Sequence, residues 1–186
     1  MKPGIVVIGT SAGGLKALEK ILGGLPVGFP LPIVAVQHRS RESDALAAVI
    51  RSLVSLPVVE AEDKEPITTP NVYIAPPDYH LLLEPGGLAL STDEPVSFSR
   101  PSIDVLFESA ADAYGPAVLA VLLTGANQDG TRGLARVRAV GGATIAQDPR
   151  TAESPEMPAT AIASGVVDRV LPLGEIAAEL VRRSLS

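Results

Sequence analysis

Short apolar runs alternate along the chain with stretches whose apolar residues recur at helical spacing. The runs at 5–8, 33–36, 118–123 and 166–171 are followed by helical patterns at 15–22, 44–53, 132–140 and 175–185, and a further run at 143–146 leads into a proline-flanked stretch. Short apolar runs of this kind suit strands covered on both faces, with each helix supplying a crossover between parallel neighbours. The rhythm predicts βαβ units, hence an α/β fold with a doubly wound, mostly parallel sheet flanked by helices.

Other segments refine this outline. Residues 58–60 and 72–75 read as short strands, and "HLLLEPGGLALS" (80–91) reads as a hairpin turning at Pro85-Gly86-Gly87, expected as an antiparallel hairpin at one edge of the sheet. "RPSIDVLFESAADAYG" (100–115) predicts a helix with Ser102 as N-cap, Gly115 as its stop, and Ile103, Leu106 and Phe107 on its apolar face. "QDPRTAESPEMPAT" (147–160) is the longest segment without clear periodicity and is expected to cross the top of the sheet as a loop. There is no internal repeat, and the 17 prolines punctuate turns rather than cluster, so residues 1–186 are expected to form one domain.

Composition narrows the classes. Hydrophobic residues are 46% of the chain but aromatics only 3%, so the core is built from Val, Ile, Leu and Ala, which favours α/β over a sandwich. A formal charge of −6 without a basic cluster argues against nucleic acid and against an anionic membrane surface. The chain has no cysteine, which excludes disulfides, thiolate zinc sites and a cysteine nucleophile, and suits a reducing compartment. Lys2 is followed by only four apolar residues before Gly9, too few for a signal peptide, and no run is long enough to span a membrane. A cytoplasmic location is expected. Two histidines 42 positions apart and scattered acids give no metal-ligand spacing, and no metal or cofactor is expected.

Candidate chemistry starts at "GTSAGG" (9–14), between the first apolar run and the first helical pattern. A dinucleotide turn needs glycine at its third position, where Ser11 stands, and no Walker lysine-serine pair follows. Read as G-x-S-x-G, the same residues suit a nucleophile elbow that raises the Ser11 hydroxyl at the sheet's C-terminal rim. Ser11 as a helix cap, or the turn as an anion cradle, is the competing reading. A serine needs a base. His38, in "VAVQHRS", ends the second predicted strand and shares that rim; His80, in "PPDYHLLLE", is the other candidate. A third group must orient the ring, and Asp129, in "VLLTGANQDGTRGL", follows another buried-looking strand; Asp148, in "AQDPR", competes with it. The order Ser, His, Asp differs from that of the α/β-hydrolases.

These segments, with "VYIAPPDYHLLL", "RPSIDVLFESAA", "GGATIAQDP", "MPATAI" and "VVDRVLPL", closely resemble the catalytic domain of the CheB-type protein-glutamate methylesterases of bacterial chemotaxis, over nearly the whole chain. The resemblance implies Ser11 as nucleophile, His38 as base and Asp129 as its orienting acid. It also implies oxyanion and substrate contacts around Ala12, Gly13, Thr124, Gly125 and Ala126. The implied substrate is a methylated chemoreceptor, held in an open cleft, with glutamine deamidation implied for part of the family. The chain departs from the family at Ala12, where threonine is usual, at Ala126-Asn127 in place of Met-Gly, and at Arg39-Ser40 in place of Met-Pro. The family's usual form carries a receiver domain ahead of the catalytic one, whereas Ser11 stands ten residues from Met1, as expected of a stand-alone or excised catalytic domain. The alternatives are a nucleotide- or anion-binding α/β module and a regulatory domain that only binds receptors or partners.

Overall fold

The computed structural model describes residues 4–38 and 45–185. Lys2, the helix start expected at Asp44, and Arg39 and Ser40 lie outside the described residues. The first half runs β1 (Ile5–Thr10), α1 (Gly14–Gly23), β2 (Ile33–Gln37), α2 (Leu46–Leu53), β3 (Val58–Glu60), β4 (Val72–Ile74), β5 (His80–Glu84) and β6 (Gly87–Ser91). The second half runs α3 (Ile103–Tyr114), β7 (Val118–Leu122), α4 (Thr131–Ala139), β8 (Ala143–Gln147), α5 (Glu156–Ala163), β9 (Arg169–Leu171) and α6 (Leu173–Ser184).

Among the described residues, seven strands form one parallel sheet in the order β3-β4-β2-β1-β7-β8-β9. Strand β1 is buried along its whole length and both faces are covered, as its unbroken apolar run requires. Val6 and Ile8 belong to the core under α1, α2 and α6, with Leu18, Ile21, Ile50 and Leu180. Ile5 and Val7 belong to the opposite core, with Leu81 of the hairpin, Phe107 of α3 and Leu134 of α4. Period-two alternation thus divides one strand between two cores.

The hairpin of β5 and β6 forms a separate two-stranded antiparallel sheet rather than extending an edge of the seven. It packs on α3, where Ser109 Oγ accepts the Leu83 N–H at 3.0 Å. The expected loop at 147–160 also differs, because it contains a short 3-10 turn at Pro149–Thr151 and the start of α5. Pro158 falls in the first turn of α5, where its missing N–H costs no helical bond.

Strand order decides where chemistry can gather. The chain steps from β1 to β2 on one side and later returns to β7 on the other, so β2, β1 and β7 are adjacent at the sheet's centre. Their register is matched, with Thr10 opposite Gln37 and Gly9 opposite Leu122. The residues after these strands therefore emerge on one C-terminal rim at the topological switch point.

Candidate active site

Ser11 follows β1 directly, and two backbone hydrogen bonds extend the sheet to it: the Ser11 N–H donates to Thr124 O at 2.9 Å, and the His38 N–H to Thr10 O at 3.0 Å. Gln37 joins the two turns, its Nε2 donating to Ser11 O at 2.7 Å and to His38 O at 2.9 Å. The N-cap of α1 is Gly13 and no side chain caps it, so Ser11 is not the cap. Nor is Ser11 a strained elbow residue, since the left-handed backbone falls on Gly13, at φ 78°. A methyl group on Gly13 would come within 2.7 Å of Glu153 Cβ, so both the turn and the packing require glycine there. Gly125 lets the β7 rim close on the serine: a methyl there would lie 2.9 Å from Ser11 Cβ.

His38 follows β2 and its Nε2 lies 2.7 Å from Asp129 Oδ2. Asp129, in the turn between β7 and α4, is fully buried, which a lone carboxylate could not sustain. The N-terminus of α3 supplies its partners. Oδ1 accepts from Ser102 Oγ and from the Asp104 N–H, each at 2.9 Å, while Oδ2 accepts from the Ile103 N–H at 2.7 Å. The first-turn amides and the helix dipole hold the negative charge in place of water. Burial pushes the Asp129 carboxyl up, but the hydrogen bonds from His38, Asp104 and Ile103 outweigh it and hold the group below the usual carboxylate range. Asp129 is thus ionised and acceptor-only, and the proton between it and His38 belongs to Nε2.

Asp104 backs this arrangement. Its Oδ1 accepts the N–H groups of Gly130 and Gly133 at 2.9 and 2.7 Å, pinning the start of α4 against α3. Burial, opposed by the Gly133 hydrogen bond and reinforced by the nearby Asp129 charge, raises its carboxyl to about 6. Of the two buried carboxylates that share the α3 terminus, Asp104 in its first turn is pushed up and Asp129, which faces His38, keeps its charge.

The competing candidates lie elsewhere. His80 is buried beneath the rim, where Nε2 donates to Glu94 O at 3.0 Å and Nδ1 accepts the Ser102 N–H at 3.2 Å. It supports the α3 terminus and does not line the cleft. Asp148 accepts the Arg150 N–H at 2.9 Å and binds its guanidinium at 2.6 Å. Ser11 and His38 share an open depression of about 450 Å³ with Lys16 and Glu153 on its wall. Of the expected oxyanion group, the Thr124 N–H donates to Gln147 Oε1 and the Gly125 N–H to Ser154 O, each at 2.9 Å. Among the described residues, the N–H groups of Ala12, Gly13 and Ala126 have no such partner.

The sequence profile described as CheB methylesterase matches residues 6–180. The chain belongs to the CheB methylesterase family. A relative from Leptospira interrogans, named a putative protein-glutamate methylesterase/protein-glutamine glutaminase, is 47% identical over 179 residues, which are 95% of this chain and 93% of the relative. A Myxococcus xanthus relative, protein-glutamate methylesterase/protein-glutamine glutaminase 4, is 40% identical over 96% of this chain but only 51% of its own length. The crystal structure of the Thermotoga maritima CheB methylesterase catalytic domain superimposes with a TM-score of 0.92 at 38% identity, covering 98% of this chain and 99% of that one. The mostly parallel α/β sheet flanked by helices is therefore the CheB catalytic-domain fold. Within it, the residues expected at strand ends, Ser11, His38 and Asp129, come to one rim, and the α3 terminus and the Gln37 and Asn127 side chains, to which the sequence reading gave no part, adjoin them. Ser102 was legible only as a helix cap, and nothing local in the sequence couples it to an aspartate 27 residues later.

Proposed function

We propose that this chain is a serine-dependent protein-glutamate methylesterase, with residues 1–186 forming one catalytic domain. Ser11 is the nucleophile, His38 the base and Asp129 the residue that orients His38. The observation that carries the reading is the cleft shared by Ser11 and His38, backed by an ionised Asp129 that bonds His38 at Nε2. With Nε2 committed to Asp129, Nδ1 is the nitrogen left to accept the serine proton.

In the first step Ser11 Oγ attacks the ester carbonyl carbon of a methyl-esterified glutamate while its proton passes to His38 Nδ1. Charge developing on the carbonyl oxygen meets the N–H groups of Ala12, Gly13 and Ala126, which have no partner among the described residues. The intermediate collapses, methanol leaves with the proton from Nδ1, and an acyl-serine remains. Water, deprotonated by the same nitrogen, then frees the glutamate carboxylate. Glutamine side chains follow the same course more slowly, because the amide has the poorer leaving group. The open cleft suits a side chain presented on a receptor's surface, and the partner is a methylated chemoreceptor met on its cytoplasmic side. Among the described residues no helix is long and apolar enough to cross a membrane.

The test mixes purified protein with radiolabelled methyl-esterified chemoreceptor membranes and counts volatile methanol for wild type and Ser11→Ala. Release from wild type alone supports the reading. Equal release from both proteins removes Ser11 from its role, and failure of wild type on both receptor and a small activated ester overturns the hydrolase reading.

A further inference from the structure

Asn127 is half-buried beside His38. Its Oδ1 lies 3.1 Å from the Asp129 backbone nitrogen. A backbone N–H only donates, so the oxygen end of the amide is fixed there and the NH₂ end must point the other way. That Nδ2 lies 3.2 Å from His38 Nδ1. An amide NH₂ has no acceptor to offer, so Nδ1 must present its lone pair, and the ring proton sits on Nε2, facing the ionised Asp129 at 2.7 Å. Asn127 and Asp129 thus hold one imidazole from its two nitrogens and agree on its tautomer.

We propose that Asn127 is a positioning residue that caps the base nitrogen of the resting enzyme. It selects the Nε2–H form of His38 and occupies the lone pair that Ser11 must use, so catalysis requires Nδ1 to pass from Asn127 to Ser11. Among the described residues the hydrogen bond at Nδ1 comes from Asn127, not from Ser11. Among the described residues, the charged groups around the ring are Asp129 on Nε2, Asp104 behind it on α3, and Lys16 and Glu153 on the wall of the cleft. None of these hydrogen-bonds Nδ1. This role rests on the hydrolase reading only for its kinetic consequences; the tautomer does not depend on it.

The decisive variant is Asn127→Asp. An aspartate keeps an oxygen for the Asp129 N–H, so the turn survives, but it turns the donor at Nδ1 into an acceptor. The chain has only two histidines, so ¹⁵N-histidine NMR of the whole protein resolves His38, assigned with His38→Gln. Over a pH series, wild type should pass to a form with Nδ1 bare and Nε2 protonated, whereas Asn127→Asp should keep both nitrogens protonated to higher pH. The acid limb of kcat/KM should move up by about one to two pH units in Asn127→Asp. Asn127→Ala, which removes the cap without adding charge, should speed labelling of Ser11 by a fluorophosphonate by about two- to tenfold, the value of one neutral hydrogen bond. A wild-type proton on Nδ1 overturns the proposal. So does an Asn127→Asp protein matching wild type in both tautomer and pH profile, as a purely turn-forming asparagine would. Should wild type hydrolyse no ester, the esterase reading falls while the NMR still decides the tautomer.

Discussion

Replacing Asp129 by asparagine tests the α3 terminus and the catalytic reading together. The carboxylate receives fixed donors at both oxygens: the Asp104 N–H at Oδ1, and the Ile103 N–H and His38 at Oδ2. An asparagine amide must place NH₂ at one end, and either end faces a backbone N–H that cannot turn into an acceptor. If NH₂ takes the Oδ2 side, it confronts Ile103 and forces His38 to offer a lone pair at Nε2, which moves the ring proton to Nδ1 and disables the base. If it takes the Oδ1 side, Ser102 can rotate its hydroxyl to accept, but the Asp104 N–H is stranded. One stranded buried donor costs about 1–3 kcal/mol, and the bonds that remain lose their charge assistance. Relief of the repulsion with Asp104 offsets part of this. The expected net loss is about 1–3 kcal/mol, or a fall in Tm of roughly 2–10 °C for a chain of this size. In serine proteases the equivalent change lowers turnover by about 10⁴, and a drop of about 10³ to 10⁴ in methanol release is expected here. Thermal unfolding and methanol release on the same preparation read the two effects. Turnover within about tenfold of wild type would refute Asp129 as the orienting acid, and an unchanged Tm would refute the donor geometry drawn from α3.

Three further outcomes follow from the same contacts. Asp104, at about 6 folded against 3.8 unfolded, contributes stability that is complete below the unfolded value and is lost as pH rises through about 6; Asp104→Asn, keeping an oxygen for Gly130 and Gly133, should remove a decline of up to about 3 kcal/mol between pH 4 and 7 in urea unfolding, and an unaltered pH slope would count against it. Glu179, held at about 2 by Arg182, desolvation opposing, with help from Arg183 and Arg169, contributes stability present above about 4.5 and lost as pH falls through about 2; because those guanidinium groups are partly solvated, Glu179→Gln should cost only about 1–2 kcal/mol at pH 7, shrinking in high salt, and a larger loss insensitive to salt would contradict this. Gly125→Ala should lower kcat by about tenfold or more, because its methyl crowds Met157 Cε and Sδ and presses on Ser11 Cβ, and wild-type kcat would show that Met157 and the serine turn yield freely.

How far the sequence carries depends on whether the relevant contact is local. Strands β1, β2, β7 and β8 were legible because buried parallel strands leave short, largely apolar runs, and their helices because each keeps one apolar stripe. The run at 166–171 was longer than the strand it contains, Arg169–Leu171, because Val166 and Val167 pack against the core from outside the ladder. Helix α5 was hidden by Pro155 and Pro158, which read as breakers yet sit at and just inside its start. The hairpin was legible over 80–91, although Gly87, expected in the turn, opens β6 opposite Glu84; its neighbour was not legible, since nothing in an alternating pattern says which surface its buried face will cover.

The site shows the same division. Ser11, His38 and Asp129 stand at strand ends, and adjacency of β2, β1 and β7 turns three separate sequence positions into one rim. What keeps Asp129 charged when no water reaches it is the start of a helix 25 to 27 residues away, and that helix is aimed by a second histidine whose ring accepts the Ser102 N–H. Both histidines therefore act on one carboxylate, His38 directly and His80 through Ser102. Protonating His80 would replace its lone pair at Nδ1 by a donor facing the Ser102 N–H. In His80→Gln a side-chain oxygen can still accept from Ser102, whereas in His80→Leu nothing can. If the α3 terminus matters through its aim at Asp129, turnover should fall much further in His80→Leu than in His80→Gln at equal thermal stability. Equal losses in the two variants would mean that His80 merely fills space beneath the rim.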